Sequence, residues 1–226
     1  MIAPLSVPSN LGRRPPQPGG MPGAGKAPEA LRQAGLHRRL HERRAVDAGV
    51  VLAGRYVDDD DGVRPSGRVR NETELVGHAR RLADRRQDVL ESGHAPLVIG
   101  GDCSVLIGIG VALSRRGRTS AEIRAGATGI ADAARRVAGP DYWVQVDVDV
   151  LDPRVMPAVD SPSPGGGDLE RLITLLQCLS PGAVGASVTV FDPDLDPDGR
   201  HAATVSDLVV DGLAALGTGA RAGSSK

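Results

Sequence analysis

Two motifs carry the side chains best suited to chemistry in this sequence. The first is Asp147-Val148-Asp149-Val150-Leu151-Asp152-Pro153, which closes the apolar run from Tyr142 to Val148. Residues two apart on an extended backbone face the same way, so a strand here would aim Asp147 and Asp149 at one spot. Adjacent carboxylates repel unless one takes a proton or a cation sits between them, and a hard divalent ion suits that place. The alternative is that Asp149 and Asp152 only shape the turn before Pro153. The second motif is Gly100-Gly101-Asp102-Cys103-Ser104, between the apolar run Pro96 to Ile99 and an apolar helical stretch. Its glycines permit close backbone approach, and the start of a helix favours negative charge. No Gly-Lys-Ser/Thr follows, so it is not a phosphate-binding P-loop. Cys103 reads as a small buried hydrophobe or as a nucleophile. A nucleophile needs a histidine nearby, and the spacing sets none of His37, His41, His78, His94 or His201 beside it.

The elements that must position these motifs alternate between strand and helix. A strand is expected over Ile2 to Val7 and a helix from Pro28 through Leu31 and Leu36 to about Arg44. Gly49 to Ala53 reads as a second strand, and Asp58 to Asp61 with Gly62 as a charged, solvated turn. Asn71 with Glu74 forms a capping-box signature for a helix that places Leu75, Ala79, Leu82, Ala83, Val89 and Leu90 on one stripe and ends at Gly93. Pro96 to Gly101 is a strand and Ser104 to Leu113 a helix; strand, glycine turn and helix together make the βα unit of a parallel sheet. Residues 114–128 read as loop and Ile130 to Ala138 as a short helix. Tyr142 to Val148 is the next strand. Asp168 caps a helix that packs Leu169, Leu172, Leu176 and Leu179 inward and closes at Pro181-Gly182. A strand over Ala183 to Phe191, a turn over Asp192 to Gly199 and a last helix from about His201 to Leu216 complete the series.

Composition narrows the class. The chain has 226 residues, 40% hydrophobic and 24% charged, with 2% aromatic, so the core must be aliphatic. Basic residues number 27 against 28 acidic, and a net charge of −1 gives no field to attract nucleic acid or an anionic membrane. Two cysteines exclude a disulfide scaffold and favour a reducing, cytoplasmic setting. No uninterrupted apolar stretch reaches the roughly 18 residues of a membrane span. Arg13-Arg14 is followed by Pro15-Pro16-Gln17-Pro18-Gly19-Gly20, which cannot form an apolar signal core. Asp194-Leu195-Asp196-Pro197-Asp198-Gly199 mimics the start of a calcium loop, but position 205 is Val where such a loop needs Glu. The expectation is one α/β domain over 1–216 with a disordered tail at 217–226.

The two motifs together resemble a known family. Gly100-Gly101-Asp102-Cys103-Ser104 is similar to the Gly-Gly-Asp-His-Ser motif of the ureohydrolases (arginase, agmatinase, formiminoglutamase). Asp147 to Pro153, with Met156-Pro157-Ala158 and Pro164-Gly165-Gly166 after it, resembles their second aspartate motif. Ala27 to Arg32 and Gly35-Leu36 resemble the family's opening, so the resemblance covers 1–113 and 142–216. It implies a parallel sheet with a two-manganese site, at which a metal-bridging hydroxide attacks a guanidinium carbon and releases urea. Carried over, Asp147 and Asp149 match metal ligands, Cys103 takes the place of a ligand His, and Asp102 stands behind the ligands.

The sequence departs from that pattern at three points. The Asp-Ala-His-x-Asp motif, which supplies several further ligands, is absent. A thiolate at 103 is a soft ligand that suits zinc better than manganese. Val190 stands where the family has the glutamate that grips the guanidinium. The family's strand order, 2-1-3-8-7-4-5-6, groups the three strands that 114–141 has no room to encode. The expected fold is therefore a three-layer open parallel α/β sheet of about five strands, order 2-1-3-8-7 in family numbering, with helices on both faces. In that sheet Tyr142 to Val148 becomes an edge, which predicts a dimer or poor solubility. Two functions follow. One is a metal-dependent hydrolase of linear amidines or guanidino compounds with a depleted site, holding manganese by the resemblance, or zinc, or none. The other is a catalytically dead member that survives as a binding or assembly subunit. Expected partners are a small guanidino or amidino substrate if active and a second copy of the chain, with no nucleic acid and no membrane.

Overall fold

The structure, a computed structural model, describes residues 1–59, 64–114 and 141–219 together with 131, 135, 138 and 139. Four parallel strands, β1 (Ile2–Val7), β2 (Ala95–Gly100), β3 (Tyr142–Asp147) and β4 (Ala183–Thr189), form one sheet in the order β1-β2-β4-β3. Parallel neighbours require crossovers, and helices supply them. The order is the expected one with its first member reduced. The chain from Val46 to Val51 runs beside β1, with Val46 N–H donating to Ile2 O at 3.1 Å, Ala48 N–H to Pro4 O at 2.8 Å and Val51 N–H to Ser6 O at 2.9 Å. Only Ser6 and Val50 form a bridge there, because Gly49 (φ 79°) turns the backbone out of the extended form.

The helices are α1 (Ala27–Gln33), α2 (Leu36–Glu42), α3 (Glu72–Glu91), α4 (Val105–Ser114), α5 (Leu169–Leu179) and α6 (Arg200–Gly212). Strand alternation sorts the core into two layers. Leu97 and Ile99 of β2, Val144 and Val146 of β3, and Ala186 and Val188 of β4 pack with Leu31, Leu40, Leu176, Val205 and Leu208 from α1, α2, α5 and α6. Leu5, Val7 and Val98 face the other way, onto Leu82 of α3 and Val105, Ile109 and Leu113 of α4. Every residue of β2 is buried, as a central strand with both faces covered requires.

Three expectations about helices change. The single helix from Pro28 to Arg44 breaks in two at Gly35, whose φ of 87° a helix cannot hold. The capping box at Asn71 does not form. Asn71 is itself left-handed (φ 45°), and its side chain accepts from Val57 N–H at 2.8 Å and donates to Leu11 O at 3.1 Å, joining two distant loops. The last helix ends at Gly212, short of Leu216. Asp168 does cap α5, accepting from Arg171 N–H at 2.8 Å. The loop expected over 114–128 lies, but for Ser114 itself, outside the described residues, as do most of the helix over 130–138 and the tail beyond 219.

The face of β3 and β4 that carries Trp143, Gln145 and Asp147 is polar. Gly185 has no Cβ to strike the Trp143 ring, whose Nε1–H donates to Ser187 Oγ at 2.9 Å. Ser187 Oγ in turn donates to Gln145 Oε1, and the buried Arg86 lays its guanidinium 4.6 Å over the indole.

Candidate functional site

All four strands end on the same edge of the sheet, where the following loops converge. The loop after β1 meets the turn after β2 through Asp102, which is fully buried. Its carboxylate accepts from Gly12 N–H at 2.6 Å and from Ser104 Oγ at 2.5 Å, while Asp102 N–H donates to Ser9 O at 2.9 Å. A Cβ on Gly101 would collide with the Ser9 carbonyl, so only glycine lets these loops touch. On the other side Val190 N–H donates to Gly101 O at 2.8 Å. Val190 has φ 67°, a strained conformation for a β-branched residue, and is buried. The position that the resemblance gives to the guanidinium-gripping carboxylate is thus apolar and turned into the core.

Cys103 is exposed rather than a buried hydrophobe. The protein around its sulfur and the charges of Asp102 and Asp147 raise its thiol pKa, while Arg13 pulls it down. A thiol held protonated is a weak nucleophile and a poor ligand.

The premise that one extended strand aims both aspartates needs correction. β3 stops at Asp147, and Val148–Val150 form a 3-10 turn that carries Asp149 off the strand's alternation. Asp147 Oδ1 accepts from Gln145 Nε2 at 2.6 Å and from the Thr189 hydroxyl. Gln145 Nε2 also donates to Thr189 Oγ1 at 2.6 Å, so the carboxylate is held by its own sheet. Burial, then the charge of Asp147, raises the Asp149 pKa, with Arg13 opposing. Asp152 belongs to the turn: it accepts from Arg154 N–H at 3.0 Å and Nε at 2.8 Å, and Arg154 with these bonds lowers it from 3.8 to about 2.

Three residues of this edge were not singled out from the sequence as site residues. Arg13, after β1, is 8% exposed and ion-paired with Asp160, which follows β3. Asp192, after β4, is pushed up in pKa by burial. The available signal was position, since each lies a short way beyond a strand's C-terminal end.

The donor set does not fit a pair of metal ions. Among the described residues no three His, Cys, Asp or Glu side chains gather closely enough to hold one. The sequence has no histidine between 95 and 200, and one carboxylate of the predicted pair is already bonded to Gln145 and Thr189. Two metals would need about twice the three ligands that Asp147, Asp149 and Cys103 could supply.

Comparison with known proteins gives this architecture its class. The model of the arginase family matches residues 17–123 and 116–214, and the chain belongs to that family. It is similar to mitochondrial arginase 1 of Arabidopsis thaliana and to mitochondrial arginase of Medicago truncatula, 37% identical to each over 68 residues. Those matches span 30% of this chain and 20% of each plant protein. Among solved structures, arginase from Bacillus subtilis superposes with a TM-score of 0.74 at 17% identity, over 94% of this chain and 98% of that one. Arginase from Bacillus caldovelox gives 0.75 at 19% identity, over 94% and 97%. The proclavaminate amidino hydrolase of Streptomyces clavuligerus gives 0.69 at 18%, over 98% and 92%. At these identities the superpositions bear on the fold, an arginase-like α/β sheet.

Proposed function

We propose that this arginase-family chain has given up two-metal hydrolysis of linear amidines and works as a binding or assembly subunit built on a single α/β domain over 1–216, in a cytoplasmic setting. The observation that carries the reading is the capture of Asp147 by Gln145 and Thr189 within β3 and β4. The apolar Val190 and the raised Cys103 thiol support it. Assembly has a candidate surface, because β3 has one strand neighbour among the described residues.

A second reading keeps a residual hydrolase of guanidino compounds, with a manganese or zinc ion on Asp147, Asp149 and Cys103 and Asp102 behind them. It is favoured by the mutual influence of these groups, since the charge of Asp147 reaches both Asp149 and Cys103. Urea release from arginine and agmatine, assayed with added manganese and with zinc alongside elemental analysis of the protein, separates the two. The proposal expects no turnover and no stoichiometric metal. Turnover by metal-loaded protein would reject it.

A further inference from the structure

Arg13 is a buried cation whose partner uses only part of it. Its side chain is 8% exposed, and among the described residues it makes one ion pair, from Nη1 to Asp160. Its Nε is buried and meets no hydrogen-bond acceptor. An arginine fork holds a carboxylate best through two parallel N–H donors, and a buried donor left unmet costs stability. The two sides of the pair also differ in how firmly they are held. Arg13 N–H donates to Asn10 O at 3.1 Å, Tyr56 OH donates to Arg13 O at 3.1 Å, and Gly12 N–H donates to the buried Asp102. Asp160 is 43% exposed and opens an exposed stretch, 160–165. Apart from the pair with Arg13, residues 160–164 make no hydrogen bond or ion pair among the described residues. The chain is pinned on either side of them, where Ala158 O accepts from Asp192 N–H at 2.8 Å and Gly165 N–H donates to Asp152 at 3.3 Å.

We propose that Arg13 is the receptor for a small-molecule monocarboxylate at the C-terminal edge of the sheet, and that Asp160 is the internal occupant which this ligand displaces. The inference deepens the reading of the chain as a binding subunit and rests on it. The ligand takes up the Nε side of the fork that Asp160 leaves unused, gaining two parallel bonds. Asp160 gives way without the loss of any strand or helix, because the stretch it opens has no other bond to break. The guanidinium keeps its place meanwhile, since its backbone is held from three directions. The charge next to the fork selects a single negative charge on the ligand. The carboxylate of Asp102 is bonded to the residue before Arg13, so a dianion such as phosphate meets more repulsion than a monocarboxylate does.

The test uses the full chain with acetate as the probe, and inorganic phosphate and chloride as comparators at equal ionic strength. The melting midpoint is followed against concentration, which yields an apparent Kd. Acetate is expected to raise the midpoint and saturate, while phosphate and chloride leave it in place. Asp160→Asn removes the competing charge and should bind acetate roughly tenfold more tightly, because the site no longer has to be vacated first. Arg13→Lys keeps the charge without the fork and should bind roughly tenfold more weakly. Arg13→Met should not respond; if it does not fold, the other two variants decide. Acetate binding no tighter in Asp160→Asn than in wild type overturns the proposal. So does a response undiminished in Arg13→Lys, or one that phosphate matches. Urea release and metal content measured on the same samples keep the failures distinct. Turnover by metal-loaded protein overturns the binding-subunit reading and this one with it, whereas no turnover and no acetate response in wild type or Asp160→Asn overturns this one alone.

Discussion

Two acidic stretches follow neighbouring strands of the sheet, and they settle their charge in different ways. After β4 come Asp192, Asp194, Asp196 and Asp198. Asp192 accepts from Asp194 N–H at 3.0 Å, Asp194 pairs with Lys26 at 2.6 Å, and Asp198 accepts from Arg200 N–H at 3.3 Å. Asp196 accepts from His201 N–H at 3.1 Å and Ala202 N–H at 2.8 Å at the start of α6. The stretch that mimics a calcium loop is therefore largely a helix entry. Asp147 closes β3, and Asp149, Asp152 and Asp160 follow it. Asp152 behaves like the first group, but Asp147 depends on Gln145 and Thr189, and Asp160 on Arg13 from far along the chain. Asp192, Asp196 and Asp198 are met by backbone N–H groups close in sequence and Asp194 by Lys26, whereas Asp147 and Asp160 are met by side chains.

That contrast can be broken most forcefully at Asp196. Asp196→Ala strips the acceptor from two buried amides at the start of α6 and is expected to cost about 2 kcal/mol. Urea unfolding measures it, and the loss should be the same with chelator or manganese. A loss that manganese repairs would mean the stretch after β4 binds an ion after all.

A smaller effect of opposite sign is expected at Asp147. Asp147→Asn keeps an oxygen for Gln145 and Thr189 while removing the charge that raises the Asp149 pKa. It should stabilise the protein by ~1 kcal/mol at neutral pH. A carboxylate with a raised folded pKa costs stability when ionised, and that cost fades as pH falls and the group takes its proton. The gain should therefore shrink on acidification through the Asp149 titration. A lower melting temperature in the variant, most of all with manganese present, would show that the Asp147 charge serves a cation.

The smallest effect is at Asp152, a turn residue paired with the exposed Arg154. Its pKa is lowered from 3.8 to about 2, mainly by Arg154, so its contribution is complete above about pH 4 and lost as pH falls toward 2. Asp152→Asn should lower stability slightly at neutral pH, the pair being screened by solvent, and match wild type as pH falls toward 2, which flattens stability against pH in that window. A loss that persists undiminished at about pH 2 would show that the charge of Asp152 is not what the turn uses.

The sequence by itself determined the parallel α/β class, the strand ends on which the motifs sit, the family, and the order in which the strands lie. The class and the strand ends rest on local signals: continuous apolar runs such as Leu97 to Ile99, glycine turns at strand ends, and the Asp168 cap; the family and the strand order rest on the resemblance that the two motifs carry. The break at Gly35, the reduction of the strand at 49–53 and the left-handed Asn71 depended on backbone angles that neighbours impose. Above all, only the tertiary structure decided which partner each acid received. Asp147 took Gln145 and Thr189, two residues back on its own strand and one on the adjacent strand, while Asp160 took Arg13 from another loop. Spacing along a chain shows which carboxylates can share a face, but a charge is balanced through space, by groups whose separation in sequence carries no signal.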